Sequence, residues 1–291
     1  MSKRQRLLHE HEGNDSASSE NPANSDSSAC AASDKDILGV IPSNFMAFSI
    51  PAYIHAPRHF APGQTLLIDA DDTLWENNIY FEQAIAGFIE HLNHQHYSPA
   101  EVRGFLNQVE QNTVMEHGYG LHSFRRSLLR CFESLSTEPL TPEREQEIIQ
   151  FTHLVEDHAI QLLPGVAETL PRLAEHHQLI VMTKGNLAEQ TSKLKRSGIQ
   201  ANFSSIDVVM EKSEPAYRSV VKKYELPPEK TWMVGNSPKS DINPALAAGL
   251  NAVFVPHPNT WVLEHENVHE APAGQFCLHI EGFAELLELF A

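Results

Sequence analysis

The chain is poor in cysteine, in basic residues and in long apolar runs. It has three cysteines, Cys30, Cys131 and Cys277, and they lie far apart. An odd, scattered set forms neither a disulfide framework nor a zinc site, so reduced thiols in a reducing cytoplasm are expected. Lys and Arg total 21 against 38 Asp and Glu, a formal charge of −17. That balance argues against broad binding of nucleic-acid phosphates, which needs a basic face, and against docking on an anionic membrane. No apolar run approaches the roughly 20 residues of a membrane span. The opening MSKRQRLLHEHEGND is briefly basic but has no apolar stretch long enough for a secretory signal. A cytoplasmic location follows as the expectation.

At roughly 150 residues per domain, 291 residues suggest about two structural units. Residues 14–36 are mostly Ser, Asn, Ala and Asp. Little there offsets the entropy of ordering a backbone, so a disordered tail is expected over 1–36, with at most a short helix at 4–10. Residues 37–63 carry four prolines among apolar residues and read as an extended lead-in.

Thr65-Leu66-Leu67-Ile68 is the first strong strand, apolar on both faces like a central parallel strand. About 80 residues of helical pattern follow. The segment TPEREQEIIQFTHLVEDHAIQL opens with Thr141 as N-cap and Pro142 at the first helical position. From Gly165 the pattern alternates. Strands are expected at 179–182, 206–210, 231–234 and 252–255, separated by helices, with a closing helix at 281–290. Such alternation indicates right-handed crossovers and a parallel sheet. The expected fold is therefore α/β: a core of residues 64–76 and 164–291, interrupted by a helical unit at 77–163.

Chemistry gathers where these strands end. LLIDADDTLW sets Asp69, Asp71 and Asp72 directly after the first strand. Ligands of open α/β sheets bind at the carboxyl ends of strands, and alternation points Asp69 and Asp71 to one side. Two close carboxylates repel by several kcal/mol at an effective dielectric of about 20. A cation or a shared proton relieves that conflict, and an all-oxygen set suits Mg²⁺; a solvated acidic turn is the plain alternative. Thr183 ends the next strand beside Lys184, Gly185 and Asn186, placed either to hold an anion or to cap a helix. Lys212 precedes a helix opened by Glu214 and Pro215, where it can neutralise a phosphate or lie solvated. After the fourth strand come Gly235, Asn236, Ser237 and Asp241, and Asp241 suits either a helix cap or a metal.

The order DADDT, Thr183, Lys212 with EPAY, then GNSPKSD resembles the haloacid dehalogenase-like superfamily of hydrolases, over about Thr65 to Pro256. The resemblance implies a Rossmann-like parallel sheet with an inserted helical cap. It implies Asp69 as nucleophile and Asp71 as general acid and then base, with a raised pKa for the acid step. Thr183 and Lys212 would hold the phosphoryl group. Asp69, the Asp71 carbonyl and Asp241 would bind Mg²⁺, and Thr73 would shape the turn. An aspartate at position 71 favours a phosphatase of small phosphorylated metabolites over a dehalogenase, because a halide leaves without a proton. A phosphomutase or 2-haloacid dehalogenase on the same scaffold, or a non-catalytic regulatory relative, is the alternative. Asn236 departs from the family pattern, where aspartate is common. Its loss of charge bears on metal affinity.

Several residues carry weaker expectations. The clusters His91, His94, His96 and His176, His177 read as solvated, as do Lys193, Lys195 and Arg196. His257 is expected in a loop near the site. The turn His117 to Gly120 either reaches over the site or simply joins two helices.

Overall fold

The computed structural model describes residues 59–291. The tail expected over 1–36, its short helix, Cys30 and the lead-in as far as residue 58 lie outside the described residues.

Strand β1 (Thr65–Ile68) takes a central place in a six-stranded sheet. The other strands are β2 (Gln178–Lys184), β3 (Ser205–Val209), β4 (Thr231–Gly235), β5 (Asn251–Phe254) and β6 (Cys277–His279). Their order is β3-β2-β1-β4-β5-β6, and every pairing is parallel. This is a Rossmann-like α/β arrangement, whose strand order reverses beside the first strand.

Each face of the sheet carries its own core. Leu66 and Ile68 pack with Leu170, Val181, Trp232 and Phe290. Leu67, one residue out of phase, packs with Ile180, Tyr217, Met233 and Leu250 on the other face. Helices α6 (Val166–Ala174), α7 (Leu187–Arg196) and the terminal α10 (Leu286–Phe290) are distinct from α8 (Glu214–Lys223) and α9 (Asn243–Ala247), which supply Tyr217 and Ala245 to the second core. Burial on both faces explains why β1 is a continuous apolar run rather than an alternating one. Truncating a side chain such as Leu67, fully buried at 0% exposure, would cost about 2–5 kcal/mol.

Between β1 and α6 the chain forms five helices: α1 (Asn78–Leu92), α2 (Pro99–His117), α3 (Leu121–Leu135), α4 (Pro142–Phe151) and α5 (His153–Asp157). They enclose a separate core around Ile85, Phe88, Leu106, Phe124 and Leu128. Helix α2 starts with a reciprocal cap in which Ser98 accepts from the Glu101 N–H and Glu101 accepts from the Ser98 N–H. Thr141 caps α4 and Pro142 opens it, as the pattern predicts. The long helix expected beyond it breaks at Thr152, whose hydroxyl donates to the Ile149 carbonyl at 2.7 Å. That bond competes with the helical ladder and separates α4 from α5.

Two expectations at the base of the sheet need correcting. The short strand β6 is absent from the sequence reading. His177 is not solvated: its Nδ1 accepts from the Gln64 N–H at 3.2 Å and its Nε2 donates to the Phe290 carbonyl at 2.6 Å. It ties β1 to the terminal helix through backbone groups, a role no side-chain pattern announces.

Candidate functional site

The Asp69 N–H donates to the Val234 carbonyl at 2.9 Å, extending the β1–β4 ladder by one residue. The chain then coils into a tight loop. Leu74 N–H donates to the Ala70 carbonyl at 2.8 Å, Asp72 N–H to the Trp75 carbonyl at 2.8 Å, and Asp72 adopts a left-handed φ of 59°. Its carboxylate accepts the N–H groups of Asn77 and Asn78 and fixes the entry to α1. That loop aims Asp69 and Asp71 at the carboxyl edge of the sheet.

Lys212 is 3% exposed and donates to two carboxylates, Asp69 and Asp241, the second at 2.6 Å. One ammonium thus joins the ends of β1 and β4 and the segment after β3. Burial lowers the lysine's pKa, but the two carboxylates more than offset this and hold it charged. Burial pushes the Asp69 carboxyl up to about 7, with Lys212 pulling down and Asp241 pushing up.

Asp241 also accepts the Ser237 N–H at 2.9 Å through its other oxygen. It sits in a single π-helical turn, Pro238–Ile242, capped by Ser237 rather than by Asp241 itself. Gly235 makes room for it. A Cβ at residue 235 would lie 2.2 Å from Asp241 Oδ2, so no larger residue fits.

The hydroxyl of Thr73 lies 3.2 Å from both Asp69 Oδ2 and Asn236 Oδ1, and it donates to one at a time. The amide of Asn236 donates to Thr260 Oγ1 at 2.8 Å. Position 236 thus carries a neutral hydrogen-bonding bridge between Thr73 and the loop after β5. Thr183 is buried and its hydroxyl donates to the Lys184 carbonyl at 3.2 Å. Asp69, Asp71, Thr183, Lys212, Asn236 and Asp241 all line one cavity of about 360 Å³, which runs from the sheet edge into the helical insertion.

Asp71 departs from expectation. Its pKa is lowered, not raised. Burial would raise it, but Lys193, Gln190 and Trp75 together outweigh that effect. Trp75 Nε1 donates to Oδ1 at 2.8 Å, Gln190 to Oδ2 at 2.8 Å, and the Lys193 ammonium reaches Oδ1 at 2.9 Å. Lys193 is therefore no solvated surface lysine. It sits among basic neighbours in a run that reads as solvent-facing, and only the packing of α7 beside the acid loop reveals its role.

Glu264 is a residue the sequence did not single out, and Lys184, named there only as a neighbour of Thr183, is its partner. Lys184 Nζ donates to Glu264 at 2.6 Å, to Ser240 at 2.8 Å and to Tyr119 at 3.1 Å. Tyr119 lies in the turn between α2 and α3 and also donates to Glu211 at 2.8 Å. Of the two readings of that turn, the one that reaches the site holds. Flanking Gly118 and Gly120 both have positive φ, which lets the chain turn sharply enough to present the ring. Burial pushes the Tyr119 hydroxyl up to about 12, so it remains a donor at neutral pH.

The donor chemistry suits a hard divalent cation. Asp69 and Asp241 are oxygen ligands brought to one point, and they share a single ammonium. Burial and the neighbouring Asp241 raise the Asp69 carboxyl, and a further positive charge beside it would counter both. A second group of donors lies nearby: Asp72, Glu76 and His257 each place one ligand atom within 4.8 Å of the others. His257 Nδ1 already accepts the Asn259 N–H at 3.3 Å, and its Nε2 faces Glu76 at 3.4 Å.

A parallel sheet with carboxylates at its carboxyl edge, joined by a buried lysine and interrupted after its first strand by a helical insertion, defines a Rossmann-like α/β protein with a reactive acidic crevice. The family profile for haloacid dehalogenase-like hydrolases matches residues 64–249, and the chain belongs to that family. A haloacid dehalogenase-like family hydrolase from Xanthomonas campestris is similar in structure, at 28% identity and a TM-score of 0.62 over 75% of this chain and 90% of that one. A predicted phosphoglycolate phosphatase from Haemophilus somnus shares the fold at 19% identity and a TM-score of 0.53, over 78% of this chain and 97% of that one. So does L-2-haloacid dehalogenase from Xanthobacter autotrophicus, at 14% identity and a TM-score of 0.54, over 77% and 96%. No curated protein matches the chain. Among the described residues, no helix is long and apolar enough to cross a membrane.

Proposed function

We propose that this hydrolase is a Mg²⁺-dependent phosphomonoesterase that acts on a small phosphorylated metabolite through an aspartyl-phosphate. A cytoplasmic location, with neither nucleic acid nor membrane as partner, belongs to the same reading. The observation that carries it is the second acid. Asp71 stands two residues after Asp69, lines the same cavity and is held there by three side chains. A dehalogenase has no use for such a group, because halide departs unprotonated.

The roles follow from charge. An Asp69 oxygen attacks phosphorus and the bond to the ester oxygen breaks. Lys212 favours the ionised nucleophile against the burial that raises its pKa, and offsets charge on the transferring phosphoryl oxygens. Thr183 lines the same cavity, and its hydroxyl, which donates to the Lys184 carbonyl in the free protein, would turn to donate to those oxygens. Asp71 gives its proton to the departing alcohol, then takes one from the water that cleaves the aspartyl-phosphate. Asp71 is ionised in the free protein, so it must gain its proton on substrate binding. A phosphate dianion competing for the Lys193 ammonium supplies that rise in pKa. Asp69, the Asp71 carbonyl and Asp241 would hold Mg²⁺, which when bound adds positive charge against the repulsion between carboxylate and phosphate. Asn236 offers no charge to the metal and serves instead as the bridge between Thr73 and Thr260.

The test is phosphate release from a panel of phosphorylated metabolites, with Mg²⁺ and with chelator, beside Asp69→Asn. Mg²⁺-dependent release that the variant lacks is the expected result. Turnover that survives in the variant removes the nucleophile assignment. Ligand-induced stabilisation without release from any ester supports a non-catalytic relative.

A further inference from the structure

The catalytic groups occupy one end of the cavity; the other end is formed by the insertion. There the apolar part of the wall is built from Phe81 and Ile85 of α1, Val114 of α2, and Leu121 and Phe124 of α3, with Ser123 and Ser127 of α3 beside them. Glu110 of α2 lies in the same wall. It is only 6% exposed, a rare degree of burial for glutamate. Its Oε2 accepts from Arg103 Nη1 at 3.1 Å. Among the described residues, none donates a hydrogen bond to its Oε1. Nor is the Arg103 charge devoted to Glu110, because the guanidinium also donates to Glu82 at 2.6 Å and to Asn107. Burial pushes the Glu110 carboxyl up to about 7, with Arg103 pulling the other way. A structural anchor for Arg103 would need no unpaired oxygen beside a cavity. An acceptor for a ligand would.

We propose that the leaving alcohol has an apolar body ending in a hydrogen-bond donor, a hydroxyl or an ammonium, which Glu110 receives while Phe81, Ile85 and Val114 enclose the body. For the reacting end this rests on the phosphomonoesterase reading; Glu110 and its apolar neighbours add the other end. A polyhydroxylated sugar would set several of its hydroxyls against Phe81, Ile85 and Val114, and burying unpaired polar groups is costly. A plain alkyl ester would fill the wall but leave the Glu110 oxygen unmet. A site that hydrogen-bonds its ligand rejects analogues lacking the donor far more strongly than a greasy pocket rejects a missing methylene.

The experiment uses the full chain and four ester types, with chain length varied: n-alkyl, ω-hydroxyalkyl and ω-aminoalkyl phosphates, and hexose phosphates. The wild type should favour an ω-hydroxy or ω-amino ester over the alkyl ester of equal length by about ten- to hundredfold in kcat/KM. Hexose phosphates should be poorer still. Glu110→Gln keeps the side-chain volume and should collapse the donor-to-alkyl ratio towards one. Val114→Thr, a change of similar size outside the buried ion pair, should raise the relative rate on hexose phosphates and keeps the idea testable if Glu110→Gln fails to fold. Calorimetric binding of the free ω-amino and ω-hydroxy alcohols is the readout independent of turnover, and should weaken about tenfold or more in Glu110→Gln. Preference for hexose phosphates, or a donor-to-alkyl ratio unchanged in Glu110→Gln, overturns the inference while leaving a phosphatase in place. Glu110-dependent binding of the alcohols with no phosphate release from any ester removes the phosphatase and keeps the inference.

Discussion

Lys193 Nζ lies 2.9 Å from Asp71 Oδ1 and 2.7 Å from Asn77 Oδ1, tying helix α7 to the acid loop 122 residues earlier in the chain. The contact holds Asp71 ionised against the burial that would protonate it. A carboxyl depressed in the folded state contributes stability above its ordinary value, near 3.8, and loses it as pH falls through the still lower folded value. Lys193→Met should therefore cost about 1–2 kcal/mol at pH 7, between the ranges for exposed and buried pairs. The gap should close below about pH 4. Urea unfolding across pH 3–8 measures it, and an equal gap at both extremes would contradict the assignment.

Asp69 carries the opposite sign. Burial raises its carboxyl to about 7, so the stability it contributes is complete below its ordinary value and is lost as pH rises through the folded one. Metal-free protein should lose stability between about pH 4 and pH 7. Mg²⁺ should restore it most at the alkaline end, by about 2.7 kcal/mol at a hundredfold excess over Kd. Asp241→Asn should weaken that Mg²⁺ effect at least about tenfold in affinity, because one oxygen ligand loses its charge. Thermal melts with Mg²⁺ and with chelator at pH 5 and pH 8 report both effects. An equal Mg²⁺ shift in wild type and variant would remove Asp241 from the metal.

Local chemistry made the sheet and the reactive edge legible; tertiary packing concealed the rest. The run at Thr65–Ile68 is a strand in the structure because two cores bury it, and two-sided burial is what a continuous apolar run encodes. Asp69, Thr183, Lys212 and Asp241 were visible because each sits at a strand end, and parallel strands converge there by geometry. The strand Cys277–His279 was invisible: three residues with one aliphatic side chain carry no period. Lys193 was hidden by its neighbours Lys195 and Arg196, which make the helix look solvated. Lys184 and Glu264, 80 residues apart, form a buried pair whose partners nothing local selects. The depressed pKa of Asp71 followed from that same blindness, since its direction depends on Lys193 and Gln190 reaching back from α7.

Gly235 tests whether the Asp241 carboxylate must lie where it does. Alanine there would place a Cβ 2.8 Å from Asp241 Cβ and closer still to its carboxyl. Either β4 or the π-helical turn must move, at a cost of about 1–3 kcal/mol. Because the displaced group bonds Lys212, the loss should appear in kcat and in Mg²⁺ affinity as well as in Tm. Full activity in Gly235→Ala at unchanged Tm would show that the turn has slack the packing does not suggest.

Lys184 and Glu264 offer the sharpest separation of charge from packing. Glu264 is 8% exposed. Burial alone would raise its carboxyl, yet it lies below its ordinary value because Lys184, Ser240 and Ser237 hold the ionised form. Lys184→Met strands that charge and should cost about 3–5 kcal/mol at pH 8, the range for breaking a buried pair from one side. Without the ammonium, burial dominates and the Glu264 carboxyl rises, so the cost should shrink towards pH 5, where protonation removes the stranded charge. Adding Glu264→Gln to Lys184→Met should restore more than half of the loss, since a neutral amide can still accept from Ser237 and Ser240. Tyr119 loses its lysine contact in either variant, so weakened substrate binding should persist in the double variant even as stability returns. Denaturation of the single and double variants at both pH values, read beside KM, distinguishes this from simple loss of packing, for which the double variant would be no more stable than the single one and pH would make no difference.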